Sequence, residues 1–165
     1  MKHVLCLLLA LLMLPALPVL AEETPEEGLV YEVAYEGVET GFWMSDWMLW
    51  VPSDWPVKSS EYESAITVGD SFTIHIECMI YLDSLEDIYA FLARGANFKE
   101  EFITWETING FPVMIYRDDR YYFDLGDGNI ADFSIVLMQR FLKDYDATRE
   151  TALQMISSLH LPAEE

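Results

Sequence analysis

Cysteine is almost absent: Cys6 and Cys78 are the only two in 165 residues. Cys6 sits in an apolar N-terminal run, so the rest of the chain has a single thiol, no internal disulfide, and only packing to stabilise it. Histidine is as scarce, with three in the chain and neither an HExxH nor a CxxC, which excludes the common zinc centres. His75 and His160 alone stand outside the N-terminal run, leaving little from which to build a nucleophile activated by an imidazole. Basic side chains number nine against 29 acids, for a formal charge of −20. Such a surface repels nucleic acid and anionic membranes. No internal repeat is visible, and there is no unbroken apolar run of the roughly 20 residues that a bilayer-spanning helix needs.

What opens the chain instead is MKHVLCLLLALLMLPALPVLA, one lysine followed by an apolar stretch broken at Pro15 and Pro18. It reads as a secretory signal peptide over residues 1–21, with cleavage expected after Ala21. Cys6 lacks the small residues that precede a lipid-modified cysteine, so no lipid anchor is expected. Cleavage removes Lys2 and no acid, leaving the chain one unit more negative than −20. Residues 22–28, EETPEEG, read as a flexible acidic leader, and 29–162 as one domain. The expectation is an exported protein without a nucleic-acid partner and without stable membrane insertion after cleavage. Its excess acid reads chiefly as a solubility device, with cations, basic peptides or positively charged wall components as the partners it would attract.

The pattern along the domain is mainly period two. LVYEVAY, residues 29–35, suits a first edge strand. Residues 41–56, GFWMSDWMLWVPSDWP, hold four tryptophans; helical spacing of Trp43, Trp47 and Trp50 competes with Gly41, Pro52 and Pro56, and residues 46–51 read as a strand covered on both faces. SAITVGDSFTIHIECMIYL gives two strands, near 63–68 and 71–81, around a turn at Val68-Gly69-Asp70-Ser71. DSLEDIYAFLARG is an amphipathic helix, with Ser84 and Asp87 as a capping box, Leu85, Ile88, Tyr89 and Leu92 on one side, and Gly95 as its stop. A four-strand antiparallel meander follows through residue 139, turned at Asn109-Gly110, Asp118-Asp119 and Gly126-Asp127-Gly128-Asn129. A final helix around ATRETALQMISSLHL repeats Ala152, Met155, Ile156 and Leu159 at helical spacing. The fold class is therefore α+β: an antiparallel sheet of about six or seven strands flanked by two amphipathic helices.

This order, with the strand running into WVPSDWP, the TINGFPVMIYR hairpin and the helix ending MISSLHL, resembles the PsbP-like family of secreted or lipid-anchored bacterial domains. That family is related in fold to a photosystem extrinsic subunit and to a Ran-binding transport factor. The likeness spans roughly residues 46–160 and rests on short structural motifs. It implies an α/β/α sandwich serving as a binding or assembly scaffold and carries over no catalytic residue. The meander has one strand more than the commonest family order.

Candidate chemistry is sparse. Cys78 falls on a strand face with Phe72, Ile74, Ile76 and Ile80 and reads as a buried small hydrophobe. Paired carboxylates, Glu22-Glu23, Glu26-Glu27, Glu100-Glu101 and Asp118-Asp119, stand at leaders and turns, where solvated charge is ordinary. In DLGDGNIAD, Asp124, Asp127, Asn129 and Asp132 could converge oxygen ligands on calcium, although the spacing departs from an EF-hand and the same residues make hairpin turns. No other cofactor is expected. Trp43 and Trp55 flank the proposed strand, and Tyr121 and Tyr122 are consecutive, so these four are the candidate ligand-binding rings, whereas Trp47, Trp50 and Trp105 are expected in the core. The functional expectation is a non-enzymatic interaction or assembly module at or outside the bacterial cell surface, with an unknown protein partner. The alternatives are a glycan or small-molecule binding domain using exposed tryptophans, and a carboxylate-based hydrolase.

Overall fold

The computed structural model describes residues 28–41, 46–59, 64–68, 72–79, 82–137 and 142–162. The proposed signal peptide, most of the leader, Trp43 and residues 69–71 of the expected turn lie outside the described residues. In chain order the elements are β1 (Gly37–Gly41), β2 (Met48–Pro52), β3 (Val57–Ser59), β4 (Ser64–Val68), β5 (Phe72–Met79), α1 (Leu85–Leu92), a 3-10 turn (Glu100–Phe102), β6 (Ile103–Ile108), β7 (Phe111–Tyr116), β8 (Arg120–Asp124), β9 (Ile130–Leu137) and α2 (Tyr145–Ser157). The chain is α+β. Strands β3 to β9 form one antiparallel sheet in the order β3-β4-β5-β9-β8-β7-β6, while β1 and β2 pair as a separate hairpin.

Local chemistry accounts for the best-defined elements. The Ser84 hydroxyl accepts from the Asp87 N–H at 3.2 Å and donates to the Asp87 carboxylate at 2.9 Å, fixing the start of α1. Glu86 and Asp87 in its first turn suit the positive end of the helix dipole. Asn109 and Gly110, at φ 47° and 87°, turn β6 into β7 as a two-residue hairpin. Gly126, Asp127 and Gly128, all at positive φ, turn β8 into β9.

Alternation divides the sheet into two faces. On one, Ile74, Val113, Tyr121, Phe123, Ala131, Phe133 and Ile135 pack with Ala152, Leu153, Met155 and Ile156 of α2, with Leu159 after it, and with Leu49 and Val51 of β2. On the other, Met114, Tyr122 and Ile130 lie beneath Leu85 and Ile88 of α1, with Tyr89 and Leu92 partly buried beside them. The apolar stripes read from both helices are thus the sides that pack.

Two expectations fail. LVYEVAY is not a strand: it makes one bridge, Leu29 to Ile108, and is then held by side chains. The Asn109 amide accepts from the Tyr31 N–H at 2.8 Å and donates to the Tyr31 carbonyl at 3.0 Å, taking the place of a strand partner. Nor is β2 covered on both faces. Leu49 and Val51 are buried, but Trp50 between them is 41% exposed and stacks on His160. Strands β1 and β3 were not foreseen.

A groove at the sheet edge beside Trp105

The expected site residues do not assemble. Trp43 lies outside the described residues, and Trp55 is half-buried in the turn after β2, packed against the α2-side core. Tyr121 and Tyr122 are buried on opposite faces, so neither ring is open to a ligand. The Tyr121 hydroxyl donates to the Asp118 carbonyl at 3.2 Å and accepts from Arg149 at 3.0 Å, and burial pushes its pKa up to about 12. Tyr122 lies under α1 with the Arg120 guanidinium 5.2 Å from its ring centre.

The oxygen ligands drawn from DLGDGNIAD separate in the same way. Asp132 is only 2% exposed and is turned into an ion pair with Arg120. Burial raises its pKa, and Arg120 opposes that rise without cancelling it. Asp124 accepts from the Gly126 N–H at 2.9 Å, and Asn129 donates to the Gly126 carbonyl at 3.2 Å, both as turn-closing bonds. Asp127 is exposed at the tip. Among the described residues no group of three or more His, Cys, Asp or Glu side chains could hold a metal ion. The quartet is a hairpin turn plus a buried ion pair.

A different constellation forms at the opposite edge of the α1-covered face. Trp105 of β6 stands in register with Met114, which pairs with Tyr122, which pairs with Asp132. Helix α1 covers the inner members of that row. Trp105, on the edge strand, remains 50% exposed beside α1. Tyr89, on that helix, sits 6.2 Å from Trp105 and 5.5 Å from Phe98, centre to centre. Together with Ile103, Glu86 of α1 and Glu100 of the 3-10 turn, these two rings line a groove of about 440 Å³.

The groove's charge is one-sided. The nearby cations are committed elsewhere: Lys99 pairs with Glu101 at 3.0 Å and lies over the Phe102 ring, and Arg117 stacks on Phe102 and Tyr116 while donating to the Asn97 carbonyl. Among the described residues no cation pairs with Glu86 or Glu100. A second depression, around Arg117 and Arg149, is less available, because Arg149 donates to both the Asp118 carbonyl and the Tyr121 hydroxyl at 3.0 Å. Sequence reasoning assigned Trp105 to the core. The available signal was its position between Thr104 and Glu106 in a strand preceded by Lys99-Glu100-Glu101, a polar setting for an indole.

No protein-family model, curated protein or solved structure matches this chain. Among the described residues no helix is long and apolar enough to cross a membrane.

Proposed function

We propose that this is an exported, non-enzymatic interaction module of the bacterial cell surface or extracellular space, built as a PsbP-like α/β/α sandwich, which engages its partner through the groove beside Trp105. The observation that carries this reading is a half-exposed indole, backed by Tyr89 and flanked by Glu86 and Glu100, in a groove that supplies negative charge and no competing cation. A positive charge placed within about 6 Å of an indole face gains about 0.5–2 kcal/mol, depending on how dry the contact is. A partly exposed carboxylate adds up to about 1 kcal/mol. The ligand group that fits is an ammonium or guanidinium on an apolar stem.

The test is an NMR titration of the protein with Nα-acetyl-lysine methylamide. We expect weak, saturable shifts at the Trp105 indole N–H and at Tyr89, abolished in Trp105→Ala and reduced at least threefold in affinity in Glu86→Gln/Glu100→Gln. An unmoved Trp105 resonance at tens of millimolar amine would overturn the cation reading. The exposed indole also favours one alternative, stacking on a sugar ring. Shifts at Trp105 with a soluble N-acetylglucosamine oligomer and none with the amine would establish that reading in its place.

A further inference from the structure

A single cationic side chain in this groove is worth only a few kcal/mol, near the roughly 4 kcal/mol of a millimolar complex. Tighter recognition needs a second set of contacts, and the strand carrying Trp105 offers one. Among the described residues β6 is the last strand of its sheet. In an extended strand the N–H and C=O of one residue point to the same side, and successive residues alternate. The Thr107 carbonyl points away from β7, because it accepts from the Leu29 N–H at 2.8 Å. The outward residues are therefore Ile103, Trp105 and Thr107, while Thr104, Glu106 and Ile108 bond to β7.

Among the described residues this edge is occupied at its far end, where Gly28 lies against Thr107 and Leu29 bonds to the Thr107 carbonyl and the Asn109 N–H. The Ile103 N–H closes the 3-10 turn onto the Glu100 carbonyl. Among the described residues the Ile103 carbonyl, both Trp105 main-chain groups and the Thr107 N–H have no main-chain partner. That leaves two donors and two acceptors in line along the edge, directly beside the groove.

We infer that the partner is an extended basic polypeptide that adds to β6 as an antiparallel strand and places a lysine or arginine in the groove. This rests on the reading of the groove proposed above. The geometry couples the two contacts. A residue paired with Trp105 across an antiparallel ladder puts its side chain on the same face as the indole, with the two Cβ atoms about 5 Å apart. That is the face on which Glu86, Tyr89 and Glu100 line the groove. Main-chain bonds to the edge supply affinity, and the groove selects the residue opposite Trp105. Charge complementarity selects a basic strand, since the chain carries 29 acids against nine bases and the acids of the groove are unpaired among the described residues.

The experiment compares three probes on the intact protein: an end-capped nonapeptide alternating threonine and valine around a central lysine, the same peptide with that lysine's side chain acetylated, and the same peptide with main-chain N-methyl groups on the lysine and on the residues two positions away from it, whose N–H groups face β6 in this pairing. Calorimetry gives affinity and hydrogen exchange reads the Trp105 and Thr107 amides. We expect the lysine peptide to bind at least tenfold more tightly than the acetylated one and to slow exchange of both amides at least tenfold. The N-methylated peptide should lose that protection and most of the affinity. Equal binding by the N-methylated peptide would overturn strand addition while leaving the groove reading intact. Failure of all three peptides and of the free amine to move Trp105 would bring down both, and binding by an N-acetylglucosamine oligomer alone would transfer the site to glycans.

Discussion

Asp132 brings a carboxylate to 2% exposure within the sheet, and Arg120 is the group that holds it there, with Nε bonds of 3.0 and 3.1 Å and a further short bond from Nη2. The pair is asymmetric, because the Arg120 side chain keeps 37% of its surface in water. Without the carboxylate, the guanidinium keeps its exposed surface and the Tyr122 ring; without the guanidinium, the carboxylate stays buried. Breaking a buried pair so as to strand the buried partner costs about 3–5 kcal/mol, so Arg120→Met is expected to lose about 3 kcal/mol at pH 7. Asp132→Asn, which leaves the exposed partner, should lose about 1 kcal/mol. Burial raises the folded pKa of Asp132, so the folded chain binds that proton more tightly than the unfolded one, and stability falls as pH rises from the ordinary carboxylate value through the raised one. Removing Arg120 takes away the groups that oppose the rise. Relative to the parent, Arg120→Met should therefore recover stability between pH 7 and pH 5. Urea unfolding at both pH values checks this, and an identical deficit at both would mean that the stranded carboxylate reaches solvent.

Among the described residues the β1–β2 hairpin has no third strand, and two strands alone are marginal in water. What docks it is the chain just beyond α2. Met48 and His160 exchange main-chain bonds at 2.8 and 3.0 Å, the Trp50 N–H donates to the Ser158 hydroxyl at 2.9 Å, and the Trp50 indole stacks on the imidazole at 6.0 Å. His160 also spans two acceptors, the Ser158 carbonyl at 2.7 Å from Nδ1 and the Glu39 carboxylate at 2.8 Å from Nε2. Burial would lower its pKa, but the bonds to Glu39 and Ser158 and the Glu39 charge raise it on balance. A histidine whose folded pKa exceeds its unfolded value contributes stability that is complete below about pH 6.5 and lost as pH rises through the folded value. Protection factors of the Met48 and Trp50 amides should therefore fall between pH 5.5 and pH 8.5, and His160→Gln should flatten that dependence. Protection that stays level in the parent protein would show that the imidazolium does not hold the hairpin.

These same elements separate what was legible in the sequence from what was not. Helix α1 and the β6–β9 meander rest on signals within a few residues of each other: the Ser84–Asp87 cap, the Asn109-Gly110 turn, and periods of 3.6 and 2. The path of residues 29–35 depends on an Asn109 side chain 78 positions away from Tyr31, which no local pattern encodes. The groove failed to appear for a related reason. Whether Trp105 is open depends on where α1 comes to rest on the sheet, and that is a property of the assembled layers.

At the scale of the whole molecule, the charge of −20 puts folding and binding in opposition. The ion pairs among the described residues, Lys99–Glu101, Arg120–Asp132 and His160–Glu39, offset little of the excess acid, so the compact state carries net self-repulsion. Raising ionic strength from about 0.01 to 0.15 M shortens the screening length from about 30 to 8 Å, enough to silence most repulsion between surface carboxylates. The Arg120–Asp132 pair, whose carboxylate is buried, is shielded from that screening better than fully exposed charges are. The fold should gain about 1–2 kcal/mol, read as a rise in melting temperature of about 3–6 °C followed by circular dichroism. The attraction of Glu86 and Glu100 for a cationic ligand is screened by the same salt, so amine or basic-peptide affinity at the groove should fall over that range. A melting temperature that dropped with added salt would mean that attractive pairs outweigh the excess acid. Affinity indifferent to salt would place the ligand's charge away from both carboxylates.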